Sequence, residues 1–160
     1  MLDPVPISKT GFQKLKEELA ELEKELTEVR IAVAEAREQG DLKENGAYIY
    51  GRQRQGFIDG QIGELKTQIN QSDIVDCTKV DTDRAEFGTI VHLLDLDTQE
   101  KVTYQLLGPA DADIDEGSIS IYSPVGDAIW GLKVGEKVSV KIPAGQRNFE
   151  VKEITKSDIP

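Results

Sequence analysis

The sequence predicts an all-α arm followed by an α+β domain: a long antiparallel coiled-coil hairpin over residues 1–75, then a small antiparallel sheet domain with one short helix over residues 76–160. Three observations predict it. Two apolar stripes with a heptad rhythm flank Gly40, the helical period fades at about Gln71, and from Phe87 onward short β-branched runs alternate with turn residues. Composition agrees: a hydrophobic fraction of 38% allows only a modest core, and 31% charged residues exceed the usual quarter, as a solvated helical arm requires.

After a short lead containing Pro4 and Pro6, Ser8 or Thr10 can cap a helix whose apolar positions are Phe12, Leu15, Leu19, Leu22, Leu26, Val29, Val33 and Ala36. The steps alternate between three and four residues, which is a heptad seam. Neither proline nor glycine interrupts it from Phe12 to Gln39, and Gly40 then stands where a left-handed C-cap is common. The second seam runs through Tyr48, Gly51, Gln55, Ile58, Ile62, Leu65 and Ile69. Two such stripes joined by a tight turn bury themselves against each other. At ~1.5 Å per residue, about 30 residues make an arm on the order of 45 Å long. Helical glycine costs roughly 0.5–1 kcal/mol relative to alanine, so Gly46 and Gly51 are expected to make the distal end the weakest part of the arm.

An aspartate-rich linker with a short strand at Ile74-Val75 leads into the second domain. Strands are predicted over residues 87–94, 102–107, 118–122, 137–142 and 148–154, with a short helix over 126–132. Trp130 is expected to be the main core filler there.

A net charge of −11 repels free phosphate backbones, so a protein partner is expected, with nucleic acid met only where a protein presents it. Cys77 is the single cysteine and excludes an internal disulfide. Residues 1–6 carry neither a basic nor an apolar targeting region, and no apolar run approaches the roughly 18 residues of a membrane span, so a cytoplasmic protein is expected.

Chemistry concentrates in the turn between the helices. Asp41 and Glu44 have the spacing of a capping box, in which both satisfy backbone N–H groups at the start of the second helix. Exposed at a hairpin tip, the same pair also suits a hard divalent cation, although two carboxylates are too few without ligands from another molecule. Arg30, Arg37, Lys43, Arg52 and Arg54 make the distal arm nearly neutral within an acidic chain, either as a solvated charged face or as an approach to RNA. Tyr48 lies on the seam and is expected to pack; Tyr50 lies off it and is the better exposed contact. His92 has no His or Cys partner at ligand spacing, and Cys77 reads as a small buried hydrophobe.

The residues Ala34-Glu35-Ala36-Arg37-Glu38-Gln39-Gly40-Asp41-Leu42-Lys43-Glu44-Asn45 closely resemble the signature of the bacterial Gre transcript cleavage factors, the GreA/GreB family. A second family signature is similar to Ile119-Ser120-Ile121-Tyr122-Ser123-Pro124-Val125-Gly126-Asp127-Ala128, and the match is collinear from about Ser8 to Ile154. The resemblance implies that the second domain has an FKBP-like fold and docks on RNA polymerase through Ser123, Pro124 and Gly126. It further implies that the coiled coil enters the polymerase secondary channel. There Asp41 and Glu44 would hold a magnesium ion shared with the polymerase, while Arg37, Asn45, Tyr48 and Arg52 meet the active site or the 3′ end of the backtracked nascent RNA. The chain would then be no enzyme itself, but a monomeric factor that stimulates the polymerase's own cleavage. It departs from the family pattern at Ala47, where an acid is usual, at Asp127, where arginine is common, and at Leu132, where lysine is common. Two other functions are weighed beside this one: a regulator that occludes the channel without promoting cleavage, and a peptidyl-prolyl isomerase suggested by the implied fold alone.

Overall fold

The computed structural model describes residues 3–41 and 44–160; Leu42 and Lys43 of the tip turn lie outside the described residues. It resolves into two compact units, residues 13–71 and residues 1–12 with 72–160.

The first unit is the hairpin of α1 (Lys9–Glu38) and α2 (Gly46–Gln71). Every seam position in it is buried or half-buried, and most positions beside the seams are exposed. Leu26, Ile58 and Ile62 form its inner cluster, with Leu19, Leu22 and Val29 packed against them. Glu25 with Arg54, Arg30 with Asp59 and Glu23 with Lys66 pair across the helices beside that seam. Two of these pairs are exposed and one, Glu25 with Arg54, is half-buried; reached by solvent, they add little stability and chiefly select the register.

Gly51 does more than weaken the arm. A Cβ there would lie 2.7 Å from Cγ2 of Val33, so the missing side chain lets the helices close at the distal end. Gly56, Gly60 and Gly63 face open space instead. Alanine at each of these three is expected to stabilise the hairpin by about 0.5–1 kcal/mol, read as a raised urea midpoint of the helical signal.

The second unit begins with a strand that Pro4 and Pro6 hide from the sequence pattern, β1 (Val5–Ser8), paired parallel with β2 (Ser72–Val75) in a two-stranded sheet. Proline is tolerated because this is an edge pairing. Ser8 ends β1 and caps α1: its Oγ accepts the Gly11 N–H at 2.9 Å. The reciprocal bond of a capping box comes from a distant residue. Asp111 accepts the Ser8 N–H at 2.8 Å and the Ser8 hydroxyl at 2.6 Å. The third helical position, where a capping-box glutamate would stand, is Gly11, and a Cβ there would meet Asp111 Oδ1 at 1.9 Å.

Beside this cap, Lys9 pairs with Asp76 at 3.2 Å. Asp76 also accepts from the Thr78 hydroxyl and N–H, and these bonds, with Lys9 adding to them, hold its carboxyl down to about 2. The unfolded chain binds that proton more readily, so the stabilisation is complete above about pH 4 and is lost as pH falls through about 2. Stability curves of the chain and its Asp76→Asn variant are therefore expected to lie apart at neutral pH and to converge in that acid window.

The main sheet has the order β5-β4-β3-β7-β6, from β3 (Thr89–Asp95), β4 (Lys101–Leu107), β5 (Ser118–Ser120), β6 (Lys137–Ile142) and β7 (Gly145–Lys156). It is antiparallel except at its edge, where β5 returns through a one-turn 3-10 helix (Ile114–Glu116) to lie parallel to β4. The single short α-helix, α3 (Pro124–Ile129), follows β5. The core comprises Phe87, Val91, Leu93, Leu106, Ile129, Phe149 and Val151 among others.

The expectation for Trp130 is corrected. Its side chain is 45% exposed, while Ile129 is fully buried in its stead. The cause is local: α3 buries Gly126 and Ile129 and ends there, and Trp130, its C-cap (φ −54°, ψ 128°), falls beside that buried face rather than on it. His92 sits half-buried between the hydroxyls of Thr103 and Thr155, and Cys77 is buried, with desolvation raising its thiol to about 11. Among the described residues, no helix is long and apolar enough to cross a membrane.

Candidate functional site: the hairpin tip and the Ser123 loop

The tip is organised by Asn45. As the residue before Gly46 it caps α2, its Oδ1 accepting the Tyr48 N–H at 3.1 Å. Its Nδ2 donates to the Ala36 carbonyl at 2.5 Å, tying the last turn of α1 to the first turn of α2. One amide therefore satisfies a stranded N–H and gives the Ala36 carbonyl, which also accepts the Gln39 N–H at 3.2 Å, a second donor. Gly40 takes φ 129°, a conformation open to glycine at little cost, and turns the chain out of α1.

This corrects the capping-box reading of the carboxylates. The helix starts at Gly46, too late for Asp41 to cap it, and the cap is Asn45. Asp41 and Glu44 are exposed on the connecting turn. Sequence spacing missed the cap, yet a signal existed: an asparagine directly before Gly46 and three residues before the first seam position.

Arg37 and Tyr48 face each other across the helices. The guanidinium carbon is 5.6 Å from the ring centroid, and Nη2 donates to the tyrosine hydroxyl at 3.4 Å. That bond, with the charges of Arg37 and Arg52 behind it, holds the Tyr48 hydroxyl below its ordinary pKa. Tyr48 is half-buried on the seam as its spacing predicts, and Tyr50 is 70% exposed off it. Arg52 is exposed, whereas Arg30 and Arg54 join interhelical pairs. Arg37 and Arg52 are thus the described distal cations outside those pairs.

Two exposed carboxylates fit a metal site completed by another molecule. No group of three or more His, Cys, Asp or Glu able to hold a metal ion occurs among the described residues, and two carboxylates are too few to hold a hard cation unaided.

The second candidate surface surrounds Ser123 in the other unit. Ser123 caps α3: its hydroxyl donates to the Ser120 carbonyl at 2.6 Å and accepts the Gly126 N–H at 3.1 Å. Pro124, at the first helical position, is exposed, Ser123 is half-buried and Gly126 is buried. A Cβ on Gly126 would stand 2.1 Å from the Ser120 carbonyl oxygen, so only glycine permits this turn.

Comparison with known proteins follows both halves of this architecture. Residues 5–74 match the family described as "Transcription elongation factor, N-terminal", and residues 80–156 the family described as "Transcription elongation factor, GreA/GreB, C-term". The chain is 46% identical over 159 residues to a transcription elongation factor GreA of Desulfotalea psychrophila, covering 99% of each. It is 43% identical over 152 residues to one from Thermodesulfovibrio yellowstonii, covering 94% of this chain and 96% of that one. Among solved structures, GreA factor homolog 1 (Gfh1) of Thermus thermophilus is similar at 27% identity and a TM-score of 0.44, over 94% of this chain and 98% of that one.

Proposed function

The chain belongs to the GreA/GreB family of transcription elongation factors, and from that premise we propose that it binds RNA polymerase, places its hairpin tip in the secondary channel and stimulates cleavage of backtracked nascent RNA. One observation carries the reading furthest: Asn45 caps α2, so the two exposed acids are not needed to start that helix. Asp41 and Glu44 would supply oxygen ligands on one side of a magnesium ion, the polymerase supplying the rest. Magnesium held there would provide Lewis-acid charge neutralisation at the phosphate being cleaved.

The remaining tip residues position the acids and the transcript. Asn45 locks the turn from which both carboxylates extend. Arg37, steadied on Tyr48, and Arg52 offset the chain's negative charge where RNA phosphates approach, and the Tyr50 ring offers a base a stacking surface. Ser123, Pro124 and Gly126 shape the loop that docks on the polymerase, and such a partner places the protein in the cytoplasm. The chain breaks no bond itself; the polymerase does.

The test is a backtracked elongation complex carrying 5′-labelled RNA, incubated with magnesium and the chain. Shortened transcripts that extend again on addition of nucleotides are expected. A stalled, uncut transcript despite bound protein would leave a channel-occluding regulator in its place.

A further inference from the structure

Around α3 the sequence leaves two large aromatic rings and an acid in solvent, for an identifiable reason. Tyr122 precedes the Ser123 cap, a position from which a hydrophobic residue usually packs against the fourth residue of the helix. Here that fourth residue is Asp127, so no such packing forms and the Tyr122 ring is 60% exposed. Asp127 is exposed and follows Pro124 by three residues; Trp130, 45% exposed, follows Asp127 by three more. Positions three apart on a helix are neighbours, so Pro124 and Asp127 adjoin on the outer face of α3, with Tyr122 exposed just before its N-cap and Trp130 exposed at its C-cap. Among the described residues no ion pair engages Asp127.

An unpaired carboxylate between exposed rings is complementary to one side chain in particular. A guanidinium is planar, stacks on aromatic faces and bonds a carboxylate through its edge, whereas an ammonium does only the second well. We propose that Tyr122, Asp127 and Trp130 form a guanidinium-binding face, and that the polymerase surface met by this loop presents an arginine to it. The inference rests on the reading above that the Ser123 loop docks on polymerase, and it adds the chemistry of the contact. The chain's net charge of −11 favours approach to such a basic surface.

The test measures the affinity of the full chain for core RNA polymerase, with thermal melts of each variant as the folding control. Trp130→Ala and Asp127→Asn are each expected to weaken binding by about 5- to 30-fold, and Trp130→Phe and Asp127→Glu by no more than about threefold. Because both groups engage one arginine, the double variant Trp130→Ala/Asp127→Asn is expected to lose less than the product of the single losses. Single variants that bind like the parent, or losses that multiply, would overturn the proposal and leave docking intact. A parent chain that binds no polymerase would instead remove the docking reading beneath it. Self-association of the parent that Trp130→Ala abolishes would assign the face to a second copy of the chain, and so also overturn it.

Discussion

Asp41→Asn and Glu44→Gln are each expected to reduce stimulated transcript cleavage by at least about 100-fold, the scale on which removing one aligned charge-stabilising group acts in other sites, while polymerase affinity changes less than about twofold. The separation follows from the tip geometry. Each change keeps side-chain shape and removes only the anionic oxygen a hard cation prefers. The hairpin's start signal lies elsewhere, in the Asn45 amide that binds Ala36 and Tyr48, so the helical signal and its urea midpoint are expected to stay those of the parent. The docking proposed for the Ser123 loop of the other unit does not involve either acid. Single-turnover cleavage rates at saturating factor, with affinity measured in parallel, check both halves of the expectation. A joint loss of affinity and cleavage would mean that the acids serve binding rather than chemistry.

Gly126→Ala is expected to have the largest effect on the second unit. The added methyl would stand 2.1 Å from the Ser120 carbonyl oxygen, which is backbone and already accepts the Ser123 hydroxyl. Relief requires moving β5 away from α3 or breaking the Ser123 cap, and overpacking of this kind costs roughly 1–3 kcal/mol. The chain's one tryptophan, Trp130, is the C-cap of α3 and reports on this event by its fluorescence. A lowered midpoint of the tryptophan transition is expected, with the helical transition of the hairpin unchanged and polymerase binding weakened. Gly46→Ala is the matched control, since a Cβ there meets nothing within 4 Å. Equal midpoints for Gly126→Ala and the parent would show that the turn tolerates the methyl.

Much of the hairpin was legible because a heptad seam is a local, repeated signal: each of Leu15, Leu26, Val33, Ile58, Ile62 and Leu65 is buried where its spacing puts it. The domain's strands were legible for the same reason, by their β-branched runs. What escaped depends on partners distant in sequence. β1 is a strand because β2 pairs with it, which Val5-Pro6-Ile7 does not disclose. The need for glycine at position 11 arises from Asp111, about a hundred residues away. Trp130 was misplaced because hydrophobicity says what a side chain prefers, whereas the end of α3 decides where it points. At the tip, the acids were singled out by spacing and resemblance, whereas Asn45, which caps α2 and ties it to α1, was read as a contact rather than as the staple of the turn.

The role proposed for Asp41 and Glu44 is to help hold a magnesium ion. Its most direct test is the magnesium dependence of cleavage in a backtracked complex, with the parent chain, each single variant and no factor. The parent is expected to lower the magnesium concentration giving half-maximal cleavage, Asp41→Asn and Glu44→Gln to raise it again, and excess magnesium to restore part of the lost rate. The same magnesium midpoint with parent, variant and no factor would contradict the claim, whatever the rates.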